Sequence, residues 1–157
     1  VPVTIGPPAP SIPDEVEQDR EGWHAIGPLP RDAMRRRRMV DVHDAGDTWD
    51  VRAMFRDTHV GHDGDETVLH EYALTATLDA ATRRFTSCRA VPRVLPWVEC
   101  PVAAASADRL VEGSVDDVRD FVRTQLRGTT TCTHLNDLLR SLGDVGQLAA
   151  ALHALPV

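Results

Sequence analysis

The sequence contains no lysine, so all 17 of its basic side chains are arginines. Together with abundant Ala, Val and Asp, this bias favours a GC-rich bacterial genome as its source. Asp and Glu number 24, and the formal net charge is −7 at pH 7. A charge of this sign argues against a general nucleic-acid binder, because such proteins present positive surfaces to phosphates.

Cysteine is scarce as well, with single residues at positions 88, 100 and 132. A small, odd number in a domain of this size is not typical of a secreted disulfide framework. No run approaches the ~20 apolar residues of a membrane span, and the N-terminus lacks the basic-then-apolar order of a signal peptide. These absences predict a cytoplasmic protein with reduced thiols and no membrane association.

The N-terminal part differs from the rest in composition. It combines the proline-rich stretch Pro7–Pro10 with an acidic run from Asp14 to Glu21. Such a segment has few groups to bury and little reason to be regular. We therefore predict an extended arm over residues 1–33 and a single domain over residues 34–157, as the length of the chain suggests.

The first half of the predicted domain shows the alternation of strands. Apolar and polar residues alternate from Trp49 to Phe55 and again from Tyr72 to Leu78, which is typical of strands with one buried face. Residues 36–43 and 84–94 are predicted as two further strands, and the polar loops at 44–47 and 79–82 suit hairpins. The pattern predicts an antiparallel β-meander of three to four strands.

After Pro96 the apolar period changes to that of helices. An Ala-rich segment over 101–112 ends at Gly113, and Ser114 with Asp117 forms a capping-box arrangement that opens a second helix. The apolar stripes of the later helices are Val115, Val118, Val122 and Leu126; Leu135, Leu138, Leu139 and Leu142; and Val145, Leu148, Ala149 and Leu152. Strands followed by helices predict an α+β fold in which three to four helices pack on one face of the sheet.

Two cysteines come where helices are predicted to begin. Cys100 precedes Pro101, and proline favours the first helical position while it pushes the residue before it towards extended geometry. Cys132 follows three threonines, one of which is expected to cap the helix and leave Cys132 in the first turn. A helix N-terminus favours a thiolate. Because the second predicted helix separates the two cysteines, both helix N-termini are expected at the same end of the sheet, and Cys100 and Cys132 are predicted to face one shared site. Cys88 lies within a strand and is predicted to pack in the core.

Two histidines add candidate ligands to these thiols. His134 lies two residues after Cys132, so both can bind one metal ion only if Cys132 lies outside the regular turn. His70 begins the third predicted strand, near where a sheet edge could meet the helix ends. Thiolate and imidazole together suit zinc or iron, or nucleophilic and acid–base catalysis without a metal. The predicted metal ligands are Cys100, Cys132, His70 and His134, and the predicted catalytic residues are Cys100, Cys132 and His134.

Two further motifs are weaker signals. The spacing of His59, His62 and Asp63 resembles part of a metal site, although polar hairpin loops produce such strings readily. The run from Arg35 to Arg38 cannot form one phosphate clamp if it is a strand, because alternate side chains face opposite ways. A solvated, charged edge strand is the prediction for this run, with an anionic ligand or partner as the alternative.

Two longer segments carry a family resemblance. The segment from Pro96 to Pro101 (PWVECP) and the segment from Gly128 to Arg140 (GTTTCTHLNDLLR) resemble the signature of an uncharacterised bacterial domain family. The likeness covers roughly residues 34–143. This resemblance implies a domain of unknown function and no particular activity.

A second, remote resemblance concerns topology. Strands that lead to a Cys, an Ala- and Ser-rich helix, a Gly, another helix and a Cys opening a further helix are similar to the U-type iron–sulfur cluster scaffold. The resemblance implies that Cys100 matches the middle cysteine of that scaffold and Cys132 the last. His70 falls close to its first ligand segment, which contains no thiol here, and Thr131 stands where the scaffold has a histidine. The implied site lies between the sheet edge and two helix N-termini.

Three functions are open on these residues. The favoured one is a Cys/His site that binds a metal ion or performs small-molecule chemistry, with a metal-free lyase- or isomerase-type pocket as an alternative to it. The second is a reversible disulfide between Cys100 and Cys132, which needs Cα atoms within about 7 Å. The third is a non-catalytic interaction module that uses the arm and the arginine strand to hold a partner. The residues do not decide whether the protein is an enzyme, and they allow a homo-oligomer.

Overall fold

Four strands form one antiparallel sheet. The structure, a computed structural model, describes residues 27–95 and 103–154. The strands are β1 (Met34–Asp44), β2 (Thr48–Val60), β3 (Glu66–Asp79) and β4 (Arg84–Val94), in the order β1-β2-β3-β4. This arrangement confirms the predicted meander with four strands, in which β2 and β3 are central. Cys100 and most of the predicted arm lie outside the described residues, so the predictions for them stay untested.

Helices follow the sheet. They are α1 (Val118–Gln125), α2 (Thr133–Ser141) and α3 (Val145–Ala154), with 3-10 segments over Ala105–Leu110, Val115–Asp117 and Leu142–Asp144. The α+β prediction is thus confirmed, with three α-helices in the described part of the chain. Ser114 caps the turn that leads into α1, since its hydroxyl accepts a hydrogen bond from the Asp116 N–H at 3.2 Å. None of these helices is both long and apolar enough to cross a membrane.

The helices pack on one sheet face, as predicted. The buried side chains of that face are Trp49, Val51, Ala53 and Phe55 on β2 and Tyr72, Leu74, Ala76 and Leu78 on β3. Leu135, Leu138 and Leu139 of α2 are each 0% exposed, and full burial of a leucine stabilises a fold by about 1.5–3 kcal/mol. This stripe fixes α2 over the sheet, and with it the residues at the start of the helix.

The last helix departs from its predicted stripe. Leu148 and Leu152 are 38% and 42% exposed, while Val145, Gly146 and Ala149 form the buried face of α3. Gly146 is buried because the Arg83 guanidinium lies where a Cβ would stand. The contact face of α3 is therefore rotated towards its small residues, which the apolar spacing alone could not indicate.

The arginine run alternates in direction, as predicted. Arg36 and Arg38 face α2, where both contact Asp137, whereas Arg35 and Arg37 point to the other face and are half-buried. Burial lowers the pKa of Arg37. The prediction of a charged edge strand is confirmed, but its arginines are paired or half-buried rather than simply solvated.

Candidate metal centre

A carboxylate and an imidazole face each other across the two central strands. Asp57 on β2 pairs directly with His70 on β3, and the register shifts just beyond them, between Asp57 and Thr58. Because side chains alternate along a strand, Asp57 lies on the same face as Phe55, and His70 on the same face as Tyr72. Asp57 and His70 therefore lie at one end of the apolar sheet face that the helices cover.

His134, in the first turn of α2, completes a group of three. Its ring stacks on His70 with centroids 3.7 Å apart and an interplanar angle of 25°, and its Nε2 lies 3.9 Å from Asp57 Oδ2. One ligand atom from each of Asp57, His70 and His134 lies within 4.8 Å of the other two. The Asp57 side chain is 5% exposed and that of His134 27%, so the group is sheltered but reachable from solvent.

Arg36 holds the carboxylate in place. Its Nε and Nη2 donate to the two oxygens of Asp57 at 2.8 Å and 2.9 Å, the fork geometry that suits a carboxylate. The guanidinium also lies over the Phe55 ring, 4.8 Å from its centroid. The hydrogen bonds to Asp57 raise the pKa of Arg36. Asp57 is thereby neutralised in a buried position with its orientation fixed.

Cys132 is the residue that begins α2. Its backbone is extended (φ −125°, ψ 134°) and it occupies the N-cap, which corrects the prediction that a threonine caps the helix and Cys132 lies in the first turn. The thiol therefore lies outside the regular turn, which is the condition for Cys132 and His134 to be able to bind one metal ion. Its Sγ is 3.7 Å from His134 Nδ1.

A buried amide fixes the loop before α2. Asn136 accepts a hydrogen bond from the Thr131 hydroxyl at 2.6 Å and donates its side-chain N–H to the Leu126 carbonyl at 3.0 Å. Its backbone N–H donates to the Cys132 carbonyl at 2.8 Å. Asn136 therefore ties Leu126, Thr131 and Cys132 to the first turns of α2, which restricts where the thiol can lie.

The surroundings shift the pKa values of Cys132 and His70 in the site. Burial opposes ionisation of Cys132, but interactions with the His134 ring, the N–H groups of Leu135 and His134 and the Tyr72 hydroxyl outweigh it and lower the pKa of the thiol to about 7. Burial, followed by the charge of His134, lowers the pKa of His70 to about 4. At neutral pH His70 is thus an uncharged imidazole, which is the form that binds a metal ion.

The structure brings together three of the four predicted site residues: His70, His134 and Cys132. They lie near one end of the central strands, not at a sheet edge as predicted. Cys88 packs in the core as predicted, and burial raises its pKa to about 12. His59, His62 and Asp63 do not form such a ligand group in the described residues.

The sequence reasoning missed Asp57. The signal was available, because the alternation from Trp49 through Phe55 continues to position 57 and places a charged side chain on the apolar face. A carboxylate in that register needs a partner, and Arg36 is directly opposite Asp57 in the pairing of β1 with β2.

An α+β domain with an Asp/His/His group under its helices is the class that this fold and site define. The chain belongs to DUF2889, a family described as protein of unknown function, whose model matches residues 34–147. The match confirms the expectation of an uncharacterised domain family and includes Asp57, His70, Cys132 and His134. No curated protein and no solved structure matches the chain.

Proposed function

We propose that this domain binds a zinc or iron ion through Asp57, His70 and His134. The observation that carries the proposal is the convergence of one carboxylate oxygen and two imidazole nitrogens within 4.8 Å of one another. One carboxylate and two histidines form a donor set used for both Zn²⁺ and non-haem Fe²⁺. Three protein ligands leave a coordination position open to water or a small molecule, as catalytic sites do.

The distances suit an ion after small rearrangements. Donor atoms bound to one ion at ~2.1 Å lie no more than about 4.2 Å apart, so the group must close by a few tenths of an ångström. The stacked rings of His70 and His134 must also turn, because parallel rings do not direct their lone pairs at one point. Arg36 already engages both oxygens of Asp57, so the carboxylate would bind the ion through a remaining lone pair.

In this arrangement Cys132 supports a ligand. Nε2 of His134 faces Asp57, while Nδ1 faces Cys132 Sγ at 3.7 Å. A thiolate that accepts the Nδ1 proton would fix the tautomer that presents Nε2 to the ion, a role that carboxylates and carbonyls often fill beside metal-bound histidines. Cys132 as a direct ligand, together with Cys100, stays a prediction.

Elemental analysis of untagged protein, purified without chelator and dialysed, tests the proposal. We expect about one zinc or iron per chain, and loss of that ion in Asp57→Asn and in His70→Asn, because a neutral amide oxygen is a much poorer ligand for these ions than a carboxylate or an imidazole. Cys132→Ser should keep the stoichiometry and bind roughly 10- to 100-fold more weakly, as outer-shell changes do.

His62→Asn is the matched control, since the His62 side chain is 91% exposed and lies outside the group. It should bind the ion like the wild type. Full occupancy in Asp57→Asn and His70→Asn would place the ion elsewhere and refute the proposal, as would wild-type protein that takes up neither metal when it is supplied in excess.

A second candidate is metal-free thiol chemistry. It is favoured by the chain of contacts from Cys132 Sγ to His134 Nδ1 at 3.7 Å and from His134 Nε2 to Asp57 Oδ2 at 3.9 Å. A nucleophile, a base and a carboxylate that orients the base are the parts of a covalent catalytic site. In this function His134 would take the thiol proton and Asp57 would hold the imidazole.

The thiol candidate predicts an unusual pH dependence of alkylation in chelator-treated protein. The iodoacetamide reaction of Cys132 should rise with pH to a plateau above about pH 7, and fall about tenfold per unit below it, because only the thiolate reacts. Peptide mass mapping assigns the modified residue, and Cys88 should stay unmodified in the folded protein. His134→Asn should move the midpoint upwards. A midpoint near that of a free thiol in the wild type would contradict the candidate.

The cytoplasmic location, the homo-oligomer, the Cys100–Cys132 disulfide, the iron–sulfur likeness and the interaction module stay predictions. The ion proposal is compatible with each of the first two and does not depend on them.

A further inference from the structure

A cleft next to the Asp/His/His group is rich in arginine. It lies between β1 and α2 and has a volume of about 660 Å³, within the range of small-molecule sites. Its charged lining consists of Arg36, Arg38, Arg119, Arg140, Asp137 and Asp144. We call it the arginine cleft. Arginine is in excess in this lining, in a chain whose formal net charge is −7.

The arginines of the cleft share too few carboxylates. Asp137 receives contacts from Arg36 at 3.3 Å, Arg38 at 3.4 Å and Arg140 at 3.5 Å. All three contacts are long for charge-assisted hydrogen bonds, which are about 2.7–2.9 Å. Arg36 is already paired with Asp57, and Arg119 is paired with Asp144. Asp137 is therefore the carboxylate left to Arg38 and Arg140, and neither contacts it closely.

Arg38 and Arg140 are the groups best placed to take another anion. In the described part of the chain each contacts Asp137 through one guanidinium nitrogen, and a guanidinium carries five N–H donors. Both side chains are about half exposed, so their remaining donors can reach a ligand in the cleft. An oxyanion there would accept from two guanidinium groups at once.

Arg36 connects the cleft with the candidate metal centre. The same guanidinium binds Asp57 of the centre at 2.8 Å and contacts Asp137 of the cleft at 3.3 Å. A ligand whose oxyanion lies on Arg38 and Arg140 would thus be separated from the centre by a single side chain. A small molecule could occupy both places.

We infer that the arginine cleft binds the carboxylate or phosphate group of a small anionic substrate and holds that substrate beside the Asp57–His70–His134 centre. The position of the substrate beside the metal centre rests on the proposed function, whereas binding of the anion does not, since the cleft exists without an ion. A small molecule is the occupant that fits the cleft, because its volume of about 660 Å³ is of the scale of small-molecule sites.

Isothermal titration calorimetry at constant ionic strength tests the cleft in metal-free protein, which prevents the anion from chelating zinc. The probes are inorganic pyrophosphate and malonate, and they distinguish a phosphate site from a carboxylate site. We expect one of them to bind with a stoichiometry of one. Arg38→Gln and Arg140→Gln should each weaken it about 10- to 100-fold, the effect of losing a charge-assisted hydrogen bond.

Arg109→Gln is the matched control, because it removes the same charge from an exposed position outside the cleft. It should change the affinity by less than about twofold. Zinc uptake by the Arg38 and Arg140 variants is measured in parallel and should equal that of the wild type.

The outcomes separate the two proposals. If neither anion binds the wild type, or if Arg109→Gln weakens binding as much as the cleft variants do, the inference is overturned while the metal centre stands or falls on its own titration. If an anion binds through Arg38 and Arg140 but no metal binds, the anion site is supported, and both the proposed function and its substrate role are refuted.

Discussion

Replacing Glu71 by alanine is expected to lower the free energy of unfolding by about 3–5 kcal/mol, the usual cost of removing one partner of a buried ion pair. Glu71 is 0% exposed, and its carboxylate accepts a hydrogen bond from Arg56 Nε at 2.7 Å. The Arg56 side chain is only 3% exposed, so alanine would take from a buried cation the carboxylate to which its Nε donates. Denaturant unfolding followed by circular dichroism measures the change.

Two further variants show whether the charge causes the loss. Arg56→Met combined with Glu71→Leu removes both charges and should recover most of the stability, since apolar replacements of buried pairs are often neutral. Asp144→Ala breaks an ion pair with Arg119 in which both side chains are at least half exposed, and it should cost no more than about 1 kcal/mol. A loss in Glu71→Ala as small as in Asp144→Ala would show that water reaches the pair.

This pair also shows where a sequence pattern stops being informative. The alternation on β2 puts Arg56 on the face opposite Phe55, where a charged residue is expected to meet solvent. In the structure Arg56 is buried together with Glu71, its direct cross-strand partner, and Arg93 Nε approaches the same carboxylate at 3.2 Å. Burial of polar residues depends on pairing between strands, which period-two alternation within one strand does not contain.

The fold was predictable because its signals are local. The two alternating segments lie within β2 and β3, the predicted strand over 84–94 coincides with β4, and the four-leucine stripe of α2 and the turn that follows is completely buried. Helix ends were less predictable. The thiol of Cys132 proved to be at the N-cap because Asn136 ties Thr131 and Leu126 to the first turn, a long-range arrangement that a run of threonines does not reveal.

The candidate site was predictable in part. His70, Cys132 and His134 were chosen for their positions at element ends, and they do meet. Asp57 was not among the predicted ligands, because its role depends on facing His70 across β2 and β3. The sequence does contain a sign of it, because Asp57 is a charged residue on the face of β2 that is otherwise apolar.

The second large effect concerns zinc and stability. An ion that binds only the folded state adds about 4 kcal/mol to the free energy of unfolding when its concentration is 1,000-fold above its Kd. We expect an increase of that size for the wild type and less than about 1 kcal/mol for His134→Asn, because the variant replaces one of three donors, an imidazole, by an amide that binds zinc poorly. Thermal and denaturant unfolding with and without zinc measure both values.

His134→Asn is informative because its effects on the apo and zinc-bound forms differ. Without zinc it removes the stack on His70 and a tilted contact with Phe55, whose ring centroid is 5.7 Å away, and the His134 side chain itself is 27% exposed. The apo loss should therefore be much smaller than the loss in the presence of zinc. His62→Asn, with its exposed side chain, should gain the same stability from zinc as the wild type. Equal stabilisation of His134→Asn and the wild type would mean that zinc binds through other residues, and no stabilisation of either would exclude a zinc centre at Asp57, His70 and His134.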